Sequence, residues 1–284
     1  MILFFREQQV RKKEEKGKQK GGGSRGRKKK EERGRDSVIY QLKELFLHHM
    51  PDCEMRALSK EEIELQFNKV YTEGISQITA DDIRFAEQLG YEIKHLGVAS
   101  RVENGYSLRV HPTMVPKSVL ISNVSGVMNA VMAYGDHVGP IMYYGAGAGA
   151  GPTASSVVAD IVDVIRWKNQ PLEDRVPPLG FAADRLQSAP VVSIDSIETS
   201  YYLRCFAQDH AGVLAKIMAI LADFNISIEH LHQEPCAQNT SAATLVMITN
   251  NVKESLLNTA IASLSALDDI EGDIMRIRIE SLGV

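Results

Sequence analysis

Between Tyr201 and Ser281 the spacing of apolar residues switches repeatedly between two periods, and this succession constrains the fold more than any other feature of the chain. Tyr201–Ala207 reads as a strand, and Ala211–Phe224 places its apolar residues at helical spacing. Ile226–His232 and Ala243–Thr249 read as strands, Glu254–Leu267 as a helix and Ile274–Ser281 as a strand. Side chains alternate with period two along a strand but recur near 3.6 along a helix, so a segment patterned for one cannot bury a clean face as the other. The resulting order, βαββαβ, is the ferredoxin-like split-βαβ pattern. Residues 199–284 are therefore expected to form one such domain.

The preceding stretch has a different texture. Thr79-Ala-Asp-Asp predicts a helix start, with carboxylates favourable at the positive end of the helix dipole, and Gly90 predicts its end after Leu89. Tyr91–Val102 and Tyr106–Pro112 read as strands joined by Glu103-Asn104-Gly105, and Asn-Gly between such runs is a hairpin signal. Val119–Asn123, Val127–Tyr134 and Gly139–Tyr144 add three β-rich runs. Thr153 is the expected N-cap of an apolar helix carrying Val157, Val158, Ile161, Val164 and Ile165. Residues 65–170 should thus form a mostly antiparallel sheet with flanking helices, and the class of the whole is α+β. Pro171, Pro177 and Pro178 mark 171–198 as a linker. Residues 37–64 hold two helical segments, one ending near Pro51 and one opening at Ser59 with Glu62 in capping-box position.

The net charge of −4 conceals an asymmetry. Residues 1–36 contain 14 of the 32 Lys and Arg but only six Asp and Glu. From Arg6 to Asp36, Gly21-Gly22-Gly23-Ser24 included, too little apolar surface is present to offset chain ordering, and disorder is expected. Clustered cations gain from counterion release on nucleic acid. No aromatic follows Phe5 in this arm, so it is read as a solvated tail and nucleic acid is not an expected partner. The three cysteines are far apart, with no metal-ligand spacing, which suits free thiols in a reducing compartment. His230 and His232 share a strand face but have no third ligand nearby, so no metal site is assigned. No apolar run approaches the roughly 18 residues of a membrane span. Met-Ile-Leu-Phe-Phe is too short for a signal-peptide core, so a soluble cytoplasmic protein with no membrane partner is expected.

The segment richest in chemistry is Tyr143-Tyr144-Gly145-Ala146-Gly147-Ala148-Gly149-Ala150-Gly151-Pro152-Thr153. Glycines let a backbone approach a ligand closely, and a helix start offers N–H groups and a positive dipole end to an anion. An ordinary strand-to-helix turn uses the same residues, so the motif alone decides nothing. It is not the usual dinucleotide fingerprint, because no acidic residue ends a second strand about 20 residues on.

Several strings along the chain carry a resemblance: Val70-Tyr-Thr-Glu-Gly-Ile-Ser, Leu89-Gly-Tyr-Glu-Ile-Lys-His-Leu-Gly, Arg109-Val-His-Pro-Thr, Gly126-Val-Met-Asn-Ala-Val, Tyr144-Gly-Ala-Gly-Ala-Gly and Pro152-Thr-Ala-Ser-Ser-Val-Val-Ala-Asp. Taken in order, residues 64–284 resemble the carboxyl-terminal half of bacterial homoserine dehydrogenases. The resemblance implies interconversion of homoserine and aspartate semialdehyde with NADP or NAD, in a homodimer or higher homo-oligomer. It implies that the glycine turn closes over the nicotinamide end of the cofactor, through Gly145, Gly147 and Gly149, with Gly145 foremost. The family's nucleotide-binding domain, with its Gly-x-Gly-x-x-Gly turn, and its acid–base lysine on a Gly-x-Asp-x-x-x-Lys helix lie upstream of the matched region. No such turn or helix is read here, so no catalytic residue is assigned, and Glu73 and Lys94 are read as surface or dimer-contact residues.

The terminal domain resembles the ACT family of amino-acid-sensing modules. Those domains bind effectors where the first strand turns into the first helix, here Gln208-Asp209-His210-Ala211-Gly212-Val213-Leu214, with Ala211 where the family prefers Pro. The implied effector, threonine, would meet Asp209, Gly212, Asn225 and Ile226; Asp209 also reads as a helix cap, Gly212 as a packing glycine and Asn225 as a turn residue. The alternative function is a non-catalytic, threonine-sensing regulatory or dimerisation protein. The first reading leads to an expectation for the 284-residue chain alone: mixed with homoserine and NADP it should generate no NADPH, a result checked by absorbance at the reduced cofactor's band.

Overall fold

Local hydrogen bonding fixes the first helix. The structure, a computed structural model, describes residues 2–4, 69–135, 137–171, 190–236 and 242–282. The rest of the basic arm, the helices expected over 37–64 and most of the 171–198 linker lie outside the described residues. Helix α1 (Ala80–Gln88) opens on a reciprocal capping box. The Thr79 hydroxyl accepts from the Asp82 amide at 3.4 Å, and Asp82 Oδ2 accepts from the Thr79 amide at 2.9 Å. Gly90, with φ +84°, follows its end at Leu89.

Nine further strands and three helices follow the two short strands β1 (Ile2–Phe4) and β2 (Tyr71–Thr72) among the described residues. They are β3 (Tyr91–Val102), β4 (Gly105–Pro116), β5 (Met128–Gly135), β6 (Gly139–Ala146), α2 (Ala150–Lys168) and β7 (Glu198–Gln208). Then come α3 (Val213–Asp223), β8 (Ile228–Pro235), β9 (Ala242–Thr249), β10 (Val252–Lys253), α4 (Glu254–Ser265) and β11 (Ile270–Ile279). The class is α+β, with the ferredoxin-like order intact from β7 to β11. Among the described residues no helix is long and apolar enough to cross a membrane. Two expectations are corrected. Val119–Asn123 is not a strand: Leu120–Asn123 is a 3-10 turn. The amides of Val119 and Ser122 bond back to Pro116 and Val119 carbonyls at 3.0 Å, so this backbone is satisfied locally and needs no neighbouring strand. Helix α2 begins at Ala150 after Gly149, so Thr153 lies inside it and is not its cap.

The chain divides into two units that interleave in sequence. One holds residues 97–110 of the β3–β4 hairpin together with β5, β6 and α2. Within it β5 and β6 form a regular antiparallel pair from Met128↔Ala146 to Gly135↔Gly139, and β1 pairs antiparallel with β5. No residue of α2 is buried, and Val157, Val158, Ile161, Val164 and Ile165 all stand exposed.

The other unit holds 75–96, 111–123 and 192–284. Its sheet runs β4-β11-β7-β9-β8, with β10 paired to β7. Strand β11 runs parallel to β4, at Arg278↔Thr113, and the remaining neighbours are antiparallel. Alternation gives the sheet two apolar faces. Tyr201, Leu203, Cys205, Leu245 and Met247 pack on one side with α3 and α4, through Ile217, Leu221, Leu257 and Leu264. Tyr202, Val246, Ile248, Ile277 and Ile279 pack on the other, where Phe85 and Ala86 of α1 cover them.

Each face also encloses a charged pair. Arg204 Nε and Nη2 donate to Asp82 Oδ1 and Oδ2 at 2.6 and 3.1 Å, and Tyr202 OH donates to the same carboxylate at 3.1 Å. On the opposite face Glu254 accepts from Arg278 Nε and Tyr201 OH, both at 2.8 Å, with Arg276 3.1 Å away. Burial alone would raise the carboxyl of Asp82, but hydrogen bonds from Arg204 and Thr79 outweigh it and hold the group below its ordinary value. Burial likewise opposes ionisation of Glu254, and the Arg278 hydrogen bond and charge overcome it. Both groups therefore titrate lower when folded than when unfolded. The stability they add is present above the ordinary carboxylate range, near 4, and is lost as pH falls through the depressed folded values. Arg204→Ala, which leaves a buried carboxylate unpaired, should cost about 3–5 kcal/mol at neutral pH. Urea unfolding should show that loss shrink on acidification, whereas a pH-independent loss would contradict the assignment.

Candidate functional site

The three glycines expected at a cofactor have different structural reasons. Gly147 sits against β5: its amide donates to Val127 O at 2.9 Å, and an added Cβ would lie 1.8 Å from Asn129 Nδ2. Gly149, the N-cap of α2, has φ +132°, a region that side chains rarely allow. Gly145 differs from both. It pairs with Asn129 in the β5–β6 ladder, is exposed, and a Cβ there would meet nothing within 4 Å. Nothing in the described fold demands a glycine at 145.

The start of α2 is also unlike that of α1. Among the described residues no side chain caps it, and its first turn holds no acidic residue to complement its N–H groups and dipole end. Helix α1 has Thr79, Asp81 and Asp82 at the same place. Tyr143 and Tyr144, 70% and 57% exposed, lead into the turn from β6.

The turn after β7 shows the same uncapped chemistry. Gly212, in the left-handed region, is the N-cap of α3; no side chain bonds to the helix start and no acidic residue lies in its first turn. Asp209 is therefore not the cap: its Oδ1 accepts from Gln233 Nε2 of β8 at 3.4 Å. Asp269 anchors the turn from the other side. Its carbonyl accepts from the Gln208 amide at 2.9 Å, and its carboxylate meets Lys216 Nζ at 2.6 Å and His210 Nε2 at 3.2 Å. The Lys216 hydrogen bond holds the Asp269 carboxyl below its ordinary value.

The four residues expected around an effector are not brought together within one chain. Asp209 and Gly212 share the turn, but Asn225 follows the far end of α3, on the order of 15 Å away at 1.5 Å per residue. Asn225 takes a left-handed φ of 57°. Ile226 is buried in the α3–α4 core and lines no open surface. Gln233 and Asp269 were not readable as partners of the turn, because ordinary polar residues 24 and 60 positions away give no local signal. Lys94, expected at a surface or dimer contact, is buried in the single chain. His232 faces the Phe85 ring at 5.7 Å, which is packing geometry.

Comparison with known proteins agrees with these features. Residues 55–162 match the family Homoserine dehydrogenase, and residues 201–269 match the ACT domain. The chain is 51% identical to homoserine dehydrogenase from Pseudomonas aeruginosa over 220 residues, which are 78% of this chain and 51% of that protein. It is 47% identical to the Neisseria gonorrhoeae homoserine dehydrogenase over 218 residues, covering 77% of this chain and 50% of that one. The crystal structure of a homoserine dehydrogenase from Thiobacillus denitrificans superposes with a TM-score of 0.70 at 50% identity, covering 77% of this chain and 49% of its own. The chain spans about half the length of the relatives it matches. Its first region belongs to the homoserine dehydrogenase family, and an ACT domain follows, as the resemblance implied.

Two glycine substitutions should behave differently. Gly147→Ala puts a methyl where the Asn129 side-chain amide lies, so that amide must turn aside, and should cost about 1 kcal/mol, the low end of the overpacking range. Gly145→Ala should leave the unfolding midpoint within experimental error. Equal midpoints for the two variants would contradict the placement of Asn129.

Proposed function

We propose that this chain supplies the cofactor-closing and effector-sensing parts of an NAD(P)-dependent homoserine dehydrogenase, which interconverts homoserine and aspartate semialdehyde in amino-acid biosynthesis. The observation that carries the reading is Gly145, an exposed glycine that the fold does not require, two residues before the turn into an uncapped helix. A bare backbone beside unpaired helix N–H groups suits close approach of a nucleotide carrying negative charge. Gly145, Gly147 and Gly149 would hold the nicotinamide end of NADP or NAD, which supplies the hydride acceptor when bound. The chain's own part is positional: Asn129 seats Gly147, Gly149 turns the backbone into α2, and Gly145 leaves room. The family match over 55–162 favours this over a non-catalytic sensor.

The ACT domain would bind threonine at the turn from Asp209 to Gly212. The uncapped α3 start suits the amino acid's carboxylate, and the Asp209 carboxylate suits its ammonium group. Asn225, at the far end of α3, would reach the same effector from a second copy of the chain, in keeping with a homodimer. Ile226 takes no part in this proposal, being enclosed in the core.

Two measurements test the reading separately. Threonine at 100 times its Kd adds about 2.7 kcal/mol to stability, so the chain's Tm should rise by several degrees. No shift with threonine, isoleucine, methionine or lysine would remove the sensing role. In an active homoserine dehydrogenase containing this sequence, Gly145→Ala should lower kcat/KM for the nicotinamide cofactor about tenfold, or about 1.4 kcal/mol, with Tm unchanged. An unaltered kcat/KM would remove the cofactor role.

A further inference from the structure

Strand β8 has two faces with different partners, because successive strand side chains point to opposite sides of a sheet. Gln233, on one, donates to Asp209 in the turn after β7 at 3.4 Å. His232 and Glu234, on the other, meet α1. Glu234 accepts from Arg84 through both oxygens, at 2.5 and 3.3 Å, and His232 lies edge-on to the Phe85 ring. The same helix is held to β7 by the buried Asp82–Arg204 pair, four residues before Gln208. The strand that leads into the turn and the strand that touches it thus both end on one helix. That helix belongs to the 55–162 region, and it runs directly into β3.

We propose that α1 is the element through which occupancy of the Asp209–Gly212 turn is passed to the homoserine dehydrogenase region, with Gln233, Glu234 and Arg84 as the relay. The proposal rests on the effector reading of that turn. An ammonium group at Asp209 competes with Gln233 for one carboxylate, and the existing bond is long and exposed, so it exchanges readily. Strand β8 is the edge of its sheet, paired only with β9 among the described strands. A change at Gln233 is therefore resisted from one side only, and its next residue grips α1. The Arg84–Glu234 pair is half exposed and contributes little to overall stability. Its value lies in placing a helix. Helix α4 packs on the face of the sheet away from α1, and among the described residues no hydrogen bond or ion pair joins it to β8.

Hydrogen exchange on the 284-residue chain tests the path with and without ligand. Asp209→Ala removes the acceptor of Gln233 and touches nothing on α1; Asp209→Asn is the milder substitute if the first variant folds poorly. Exchange of the amides from Ile83 to Leu89 should change several-fold, while those from Leu257 to Ser265 stay within twofold. Changes confined to residues 208–213 and Gln233 would overturn the path. So would equal changes in both helices, since a generally loosened domain needs no relay. Linkage gives the reciprocal arm: Glu234→Gln should alter the Kd for threonine about fivefold or more, because two sites that bias one element bias each other equally. An unchanged Kd would overturn the proposal. If threonine leaves exchange at the turn unaltered while Asp209→Ala still changes α1, the relay stands and the effector reading falls.

Discussion

The buried contact between Asp82 and Arg204 organises the larger of the two units among the described residues. An ordinary ferredoxin-like sheet has one face covered by its own two helices and a second face left to find a partner. Here the second face is closed by α1, a short helix from more than a hundred residues upstream. Phe85 and Ala86 supply the apolar cover, and Asp82 supplies the register, because its carboxylate serves both the Thr79 capping box and the Arg204 guanidinium. A carboxylate that closes its own helix and neutralises a buried cation leaves little freedom in how the two segments meet. The parallel pairing of β11 with the end of β4 extends the same association along the backbone. The ACT domain is thus part of a unit larger than its sequence boundaries.

A second regularity concerns how helices begin. Asp81 and Asp82 sit in the first turn of α1, and Glu254 in that of α4, so each brings its own negative charge to its dipole. Helices α2 and α3 bring none and, like α4, have no side-chain cap. These two follow the glycine turn and the Asp209 turn, the places where the proposed function puts a nucleotide and an amino-acid carboxylate. Leaving a helix start without a cap forgoes roughly 0.5–2 kcal/mol of stability. Such a loss is reasonable where a ligand provides the missing acceptor.

What could be read from the sequence was what is encoded locally. The shift between two-residue and 3.6-residue periodicity gave the βαββαβ order, Asn-Gly marked the β3–β4 hairpin, and Thr79 with Asp82 marked a helix start. Local rules misread Val119–Asn123, whose β-branched and apolar residues suit a strand but whose backbone closes on itself after Pro116. They also placed a cap at Thr153, where a glycine with positive φ, four residues earlier, caps the helix. The alternating glycines stood out as a string, yet their separate roles depend on Asn129, which only strand pairing brings beneath Gly147. The partners of the Asp209 turn, Gln233 and Asp269, come from other strands entirely. Ile226 was misread for the opposite reason: a residue next to a turn is not thereby exposed, and the helix α3 packing draws it into the core.

On the proposed function, the uncapped start of α3 seats an amino-acid carboxylate. Titrating isotope-labelled chain with threonine while following backbone amide resonances tests it most directly. Saturable shifts are expected at Gly212, Val213 and Leu214, with smaller changes at Gln233. Resonances at those amides that stay fixed while others move, or a spectrum that does not respond at all, would contradict it.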